Sequence, residues 1–272
     1  MALMISDAEL AVRAAELGAD VVRTRFGTVL DRIAKGPGDF ATAADLEAEQ
    51  RIRDLIRAER PGDAVLGEEH GLTGSGERTW LVDPLCGTAN FAARTHLVAV
   101  NVALRIGAEV TAAAAADPFT GEVFWTDGAA ARVRAGGEDR PLVPSAGSRI
   151  VDLNLDPPFP NAAAFRATRL LGHDRFVERF RPRVVSSTVA VAWVATGQRA
   201  AYVTDGDLRD SVHFAAGLAL CRAAGCVVTG LAGQPLHTGI GGLVAAADEA
   251  THAALLELIR DQLDGNGPSK PA

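Results

Sequence analysis

The sequence predicts an α/β protein whose first half is α+β. Three observations carry this reading. Two segments with apolar residues at helical spacing open the chain, and short β-type runs separated by turn signals fill its middle. From about Pro141 onward, apolar runs alternate with helical-period segments, the pattern of an α/β layer. The boundaries fall at 1–140 for the α+β half, 141–263 for the α/β half and 264–272 for a Gly- and Pro-containing tail expected to be disordered.

Ser6-Asp7-Ala8-Glu9 has capping-box spacing, and Leu10, Ala14, Leu17 and Val21 follow on one helical face. Lys35-Gly36-Pro37-Gly38-Asp39 reads as a loop. Thr42 and Asp45 then cap a second helix that turns Ala48, Ile52, Leu55 and Ile56 inward. Pro61-Gly62 leads into a strand at Ala64–Leu66, and the two acids after it read as a solvated loop. Trp80–Val82 is a buried strand that delivers Asp83 to its carboxyl end, where Pro84 removes a donor and stops the ladder. Gly87-Thr88-Ala89-Asn90 opens a helix with free N–H groups.

Runs at 97–104, 110–116 and 123–126 form an antiparallel meander, with turns marked by Asp117-Pro118 and Asp127-Gly128. His96, on the loop before it, is given no role. Strands follow at 149–152, 184–187, 200–204, 226–229 and 242–246. Helices are expected at 162–171, after 187 to near Gly197, at His213–Ala224 closed by Gly225, and at 248–263.

With 272 residues, 48% of them hydrophobic, the chain can bury a large core. Its net charge of −7 argues against nucleic acid or an anionic membrane surface as partner. No apolar run reaches the ~18 residues of a membrane span. The first twenty residues lack a basic-then-apolar signal pattern. Cys86, Cys221 and Cys226, in no Cys-x-x-Cys arrangement, fit a reduced cytoplasm, and Cys221 and Cys226 read as core residues. A cytoplasmic protein acting on a small molecule is expected.

An acid at a strand end beside a helix start suits a cation-plus-phosphate site, because the carboxylate holds the metal and the N–H groups receive the anion. Here that stretch reads Asp83-Pro84-Leu85-Cys86-Gly87-Thr88-Ala89-Asn90-Phe91. It resembles the inositol monophosphatase superfamily, metal-dependent phosphatases of small molecules, whose core motif runs Asp-Pro-Ile/Leu-Asp-Gly-Thr-x-Asn-Phe. The one departure is Cys86 at the second Asp. Lys35, Thr42 and Asp45 match the family's Lys and Val-Thr-x-x-Asp, with Ala41 replacing Val, and Gly67-Glu68-Glu69 matches its Gly-Glu-Glu. The resemblance covers essentially the whole chain and implies a layered α-β-α-β-α sandwich, a homodimer and a small-molecule phosphate substrate.

It also implies a first metal ion on Glu68, Asp83 and the Leu85 carbonyl, a hard oxygen set suited to Mg²⁺. Thr88 and Asp45 correspond to the pair that aligns and deprotonates the attacking water, and Gly87, Thr88 and Ala89 to the phosphate-receiving N–H groups. The second metal's ligands in the family are the first core Asp, the second core Asp and the Asp of a late Trp-Asp-x-Ala-Ala-Gly. Those last two fall on Cys86 and, in Val212-His213-Phe214-Ala215-Ala216-Gly217, on His213. Oxygen has given way to sulfur and nitrogen, so Mg²⁺ binds poorly there. Asp210, one helical turn before His213, is a partial substitute and a substrate-side candidate within Asp205–Asp210.

The altered ligands leave several functions open. One is a phosphatase of polyol, sugar or related phosphates with reduced or altered activity. Another is a non-phosphatase enzyme in which Cys86, its pKa lowered by the helix start, pairs with His213 as a nucleophile. A third is an inactive binding or regulatory homologue in which Cys86 only fills space. In the last, Glu68, Asp83, Cys86 and His213 hold a Zn²⁺ or Fe ion.

Overall fold

The computed structural model describes residues 5–28, 32–36, 39–206 and 208–265, which fall into two compact units. The first takes the chain through Pro141 with Ser187–Val189 and Val212–Ala223; the second takes Leu142–Ser186, Ala190–Ser211 and the chain from Ala224.

In the first unit, α1 (Asp7–Arg25) starts where Ser6 Oγ accepts the Glu9 N–H at 3.1 Å. The expected loop at 35–39 is corrected. Lys35 and Gly36 end β1 (Arg32–Gly36), Asp39 opens β2 (Asp39–Thr42), and the two strands pair antiparallel, with Pro37 and Gly38 outside the described residues. Composition points to a turn there, but backbone pairing needs only the peptide groups on either side of it.

Helix α2 (Ala43–Glu59) is followed by β3 (Ala64–Gly67), β4 (Gly71–Thr73), β5 (Arg78–Cys86) and the short α3 (Thr88–Ala92). The meander then adds β6 (Ala99–Ile106), β7 (Glu109–Ala116), β8 (Val123–Thr126), β9 (Ala131–Ala135) and β10 (Glu138–Pro141). They form an eight-stranded sheet ordered β10-β9-β8-β7-β6-β5-β3-β4, antiparallel except for the β3–β5 pair. Alternate residues Trp80, Val82, Val100, Val102 and Leu104 turn one face toward Leu10 of α1 and Ile52 of α2, all within 1% of full burial.

Pro84 does not stop the ladder. Strand β5 continues to Cys86, and the register slips between Asp83 and Cys86, so the missing donor sits in a bulge rather than at a terminus. The bulge aims Asp83 and Cys86 while the strand stays paired.

The second unit contains β11 (Ile150–Asn154), α4 (Ala167–Leu170), α5 (Asp174–Arg179), β12 (Arg181–Val184), α6 (Val189–Ala195) and β13 (Ala201–Thr204). After α7 (Ala215–Ala224) come β14 (Val227–Thr229), β15 (Leu243–Ala246) and α8 (Glu249–Leu263). Its mixed sheet runs β12-β11-β13-β15-β14 over a core that includes Leu153, Phe176, Val203 and Leu255.

The helix expected at 162–171 shrinks to its last turn, α4. Likewise α7 starts at Ala215, which leaves His213 in the turn before it. Most of the expected tail, residues 266–272, lies outside the described residues. Among the described residues no helix is long and apolar enough to cross a membrane. Cys221 and Cys226 are buried, unbridged core residues.

Candidate active site

Asp83, fully buried near the end of β5, stands opposite Asn101 of β6 in register. Its Oδ1 accepts the Leu85 N–H at 3.2 Å, and its Oδ2 accepts from the Asn101 amide at 3.4 Å. The strongest contact comes from the His213 ring, whose Nδ1 lies 2.8 Å from Asp83 Oδ2 and 3.8 Å from Glu68 Oε2. The two predicted acids therefore converge on one imidazole.

Burial alone pulls the His213 pKa down, but the charge of Asp83 and its hydrogen bond, with help from Cys86, push it up to about 12. Burial would raise Asp83, and the imidazolium more than offsets this, holding the carboxyl below its usual range. Glu68 is pushed up to about 8 by burial and then by the neighbouring Asp83 charge.

The acids at 68 and 69 are not a solvated loop. Glu69's side chain is 3% exposed, and Lys35 Nζ donates to Glu68 Oε1 at 2.8 Å and to Glu69 Oε1 at 2.6 Å. Burial lowers the Lys35 pKa, yet the two carboxylates raise it well above the ordinary lysine range. Strand β1 thus supplies a second internal cation. The Glu68 N–H donates to the Val82 carbonyl at 3.1 Å, tying this turn to β5.

Asp45 both caps α2 and meets Thr88. Its Oδ2 accepts from the Thr42 N–H at 2.8 Å and from Thr42 Oγ1 at 2.5 Å, completing the capping box of α2. Its Oδ1 accepts from Thr88 Oγ1 at 2.9 Å, and the same hydroxyl lies 3.2 Å from the Leu85 carbonyl. Burial pushes the Asp45 carboxyl up against the hydrogen bonds that stabilise its anion. Gly87, at φ +105, makes the left-handed turn that starts α3, so Thr88 and Ala89 follow directly from the bulge.

Cys86 departs from expectation. Its Sγ accepts from the Thr188 N–H at 3.3 Å and from Thr188 Oγ1 at 3.0 Å. Burial and then the Asp83 charge push the thiol up, not down. The five-residue α3 is too short a dipole to reverse this, and the nucleophile reading loses its main premise.

Asp210 also departs from expectation. Its φ of +56 places it outside any helix, and α7 begins after His213, so it is not one helical turn before that residue. It belongs to the second unit, whereas Asp83, Cys86 and His213 belong to the first.

Three contributors escaped the sequence reading. Asn101 was visible as a lone amide inside an apolar strand, and its Nδ2 donates to Thr188 Oγ1 at 2.9 Å. Thr188 offered only a Ser-Ser-Thr run before an apolar helix. Glu49 repeats the helical spacing of Asp45. It is fully buried and accepts the N–H groups of Glu69 at 2.7 Å and His70 at 3.0 Å, which fixes the turn carrying Glu68.

As a test of fit for a cation, Glu68 Oε2 is buried without a hydrogen-bond partner, it shares His213 Nδ1 with the Asp83 carboxylate, and Leu85, whose N–H is bonded to Asp83, offers its carbonyl to Thr88 Oγ1. That oxygen set suits one hard ion. Cys86 and His213 do not suit a second.

The profile of the inositol monophosphatase family matches residues 4–264. Among curated proteins, the chain is 30% identical to an inositol-1-monophosphatase of Caulobacter vibrioides over 264 residues, 92% of this chain and 99% of that one. It is 33% identical to Nus factor SuhB of Escherichia coli K12 over 268 residues, 93% and 96% of the two chains. In fold it is similar to the extragenic suppressor protein suhB of Bartonella henselae, with TM-score 0.82, 24% identity and coverage of 93% and 97%. It is also similar to an IMPase of Thermotoga maritima, with TM-score 0.78, 20% identity and coverage of 95% and 98%. At these identities the structural likeness establishes the fold, the α/β sandwich of that group.

Proposed function

The chain belongs to the inositol monophosphatase family, and on that premise we propose that it hydrolyses a small phosphate monoester of the polyol or sugar class, slowly, with one hard cation. The observation that carries the reading is the 2.9 Å hydrogen bond from Thr88 Oγ1 to Asp45 Oδ1, preserved beside the Glu68–Asp83 pair.

In this reading Glu68, Asp83 and the Leu85 carbonyl hold a Mg²⁺ ion, which when bound supplies Lewis-acid activation of water. Thr88 Oγ1 takes a proton from the attacking water as its own proton passes to Asp45 Oδ1. The water oxygen bonds to phosphorus, the ester P–O bond breaks, and the leaving alkoxide takes its proton from solvent. The N–H groups at Gly87, Thr88 and Ala89 orient the phosphate. Turnover is slow because Cys86 and His213 stand where the family has two carboxylates, and because Lys35 and His213 already neutralise the acids that the cation needs.

A phosphomonoester panel with Mg²⁺ tests this. Hydrolysis should vanish in Glu68→Gln and rise in the double variant Cys86→Asp/His213→Asp. Silence of both the parent and that double variant on every ester would refute it. The silent outcome would favour a second reading, a non-catalytic binding homologue, which the two internal ion pairs and the Nus-factor name of one relative support.

A further inference from the structure

We propose that Asp83, Cys86 and His213 form a binding site for a borderline-soft divalent cation of the zinc class, which stands whether or not the chain hydrolyses phosphate esters. A carboxylate oxygen, a thiol sulfur and an imidazole nitrogen from these residues lie no more than 4.8 Å from one another. Their origins are fixed. Asp83 and Cys86 flank the β5 bulge, and His213 occupies the turn before α7.

Two further observations point to an ion rather than to mere packing. Glu68 Oε2 is buried, has no hydrogen-bond partner, and lies 3.8 Å from His213 Nδ1, where it can complete the coordination directly or through a water. Behind the three ligands stands a connected outer layer. Thr188 donates two hydrogen bonds to Cys86 Sγ, the arrangement that stabilises a thiolate, and Asn101 Nδ2 links Thr188 Oγ1 to Asp83 Oδ2.

The donor chemistry selects the ion. Thiolate and imidazole disfavour Mg²⁺ and Ca²⁺ and suit Zn²⁺ or Co²⁺. Ligand atoms of a tetrahedral zinc ion stand roughly 3.3–3.8 Å apart. The 2.8 Å Nδ1–Oδ2 bridge must therefore open a little and the wider spacings close. His213, half-buried on a turn before α7 rather than within a helix, is the ligand whose side chain would make that adjustment. The ion enters between Nδ1 and Oδ2, and the proton shared there leaves to solvent together with the Cys86 thiol proton. The anions of Asp83, Cys86 and Glu68 then face the dication and Lys35 Nζ, 2.8 Å from Glu68 Oε1.

The full chain, stripped with a chelator, is titrated with Co²⁺ as a spectroscopic probe. The expected result is one Co²⁺ per chain, with a near-ultraviolet thiolate-to-cobalt absorption and intense visible bands. Zn²⁺ should bleach them, and a large excess of Mg²⁺ should not. Cys86→Ser should remove the thiolate absorption, and Thr188→Val should weaken binding by roughly tenfold or more. A variant with Cys221 and Cys226 both changed to Ser should keep the signal, which excludes those two thiols as its source, and an unchanged circular dichroism spectrum of Cys86→Ser excludes misfolding. Parent protein without the thiolate absorption, or an unchanged spectrum in Cys86→Ser, overturns the proposal. Because the readout is spectroscopic, either result is independent of whether any phosphate ester is hydrolysed.

Discussion

Gly67 and Glu49 offer the sharpest test of how this site is held. The Glu49 carboxylate accepts from two backbone N–H groups, from His70 Nδ1 at 2.8 Å and from the buried Arg53 guanidinium at 3.3 Å. A methyl group on Gly67 would lie 2.2 Å from Glu49 Oε1 and 2.4 Å from its Cδ, well inside contact distance. Gly67 is not among the residues with positive φ, so the obstacle is purely steric. Gly67→Ala should cost about 1–3 kcal/mol by overpacking. Glu49→Ala should cost about 3–5 kcal/mol, because it strands the Arg53 charge and two N–H groups. In the Glu49→Ala background the methyl falls into vacated space, so Gly67→Ala should then cost less than about 0.5 kcal/mol. Urea unfolding of the four proteins measures this coupling. Costs that add within about 0.5 kcal/mol would show that Gly67 is not there to make room for Glu49.

Other outcomes follow from the same geometry. Thr88→Ala should lower kcat on any hydrolysed ester by about 10²-fold with little change in KM, while Thr88→Ser retains most of it; equal loss in both would remove the hydroxyl from the reaction. The folded His213 pKa of about 12 lies above its unfolded value of about 6.5, so its stabilisation is complete below pH ~6.5 and lost as pH rises through 12. NMR of chelator-treated protein should find that ring protonated at pH 9, and titration near 6.5 would contradict the ion pair. Arg199 stacks on Trp193 at 4.5 Å and donates to the fully buried Asp152 at 2.7 Å. Arg199→Met should therefore cost about 3–5 kcal/mol by denaturation, and adding Asp152→Asn should recover much of it. Finally, Cys86→Asp/His213→Asp should gain about 2.7 kcal/mol at a Mg²⁺ concentration 100 times its Kd, and a melting shift no larger than the parent's would refute the ligand assignment.

What the sequence made legible was local. The Ser6 and Thr42 caps and the β3–turn–β5–α3 path follow from spacings of a few residues or from a contiguous motif, whereas the Thr88–Asp45 pairing, 43 positions apart, was implied only by the resemblance to the family. What it hid depends on distant partners. Thr188 reaches Cys86 across 102 positions, and its Ser-Ser-Thr setting resembles any helix start. Glu49 looks like an ordinary helical acid until Gly67 and the N–H groups of Glu69 and His70 close around it. The expectation that the helix start lowers the Cys86 pKa is overturned for the same reason. The sequence showed a helix start, whereas burial and the neighbouring Asp83 charge set the thiol's state.

On the ligand assignment that the resemblance implies, Cys86 and His213 together make one compensated change. Exchanging an acid for Cys86 removes a negative charge, and exchanging another for a protonated His213 removes a second and adds a positive one. Had only the first occurred, Asp83 would face its burial with little beyond an amide and a backbone N–H. With His213 at 2.8 Å it ends below the usual carboxylate range instead. The consequence for ions is asymmetric. A hard cation must compete with the imidazolium for Asp83 and gains no ligand when it wins. At the proposed site a soft cation would displace the shared proton and recruit that imidazole nitrogen, with the Cys86 sulfur beside it, so the bridge that would handicap Mg²⁺ would become part of the coordination.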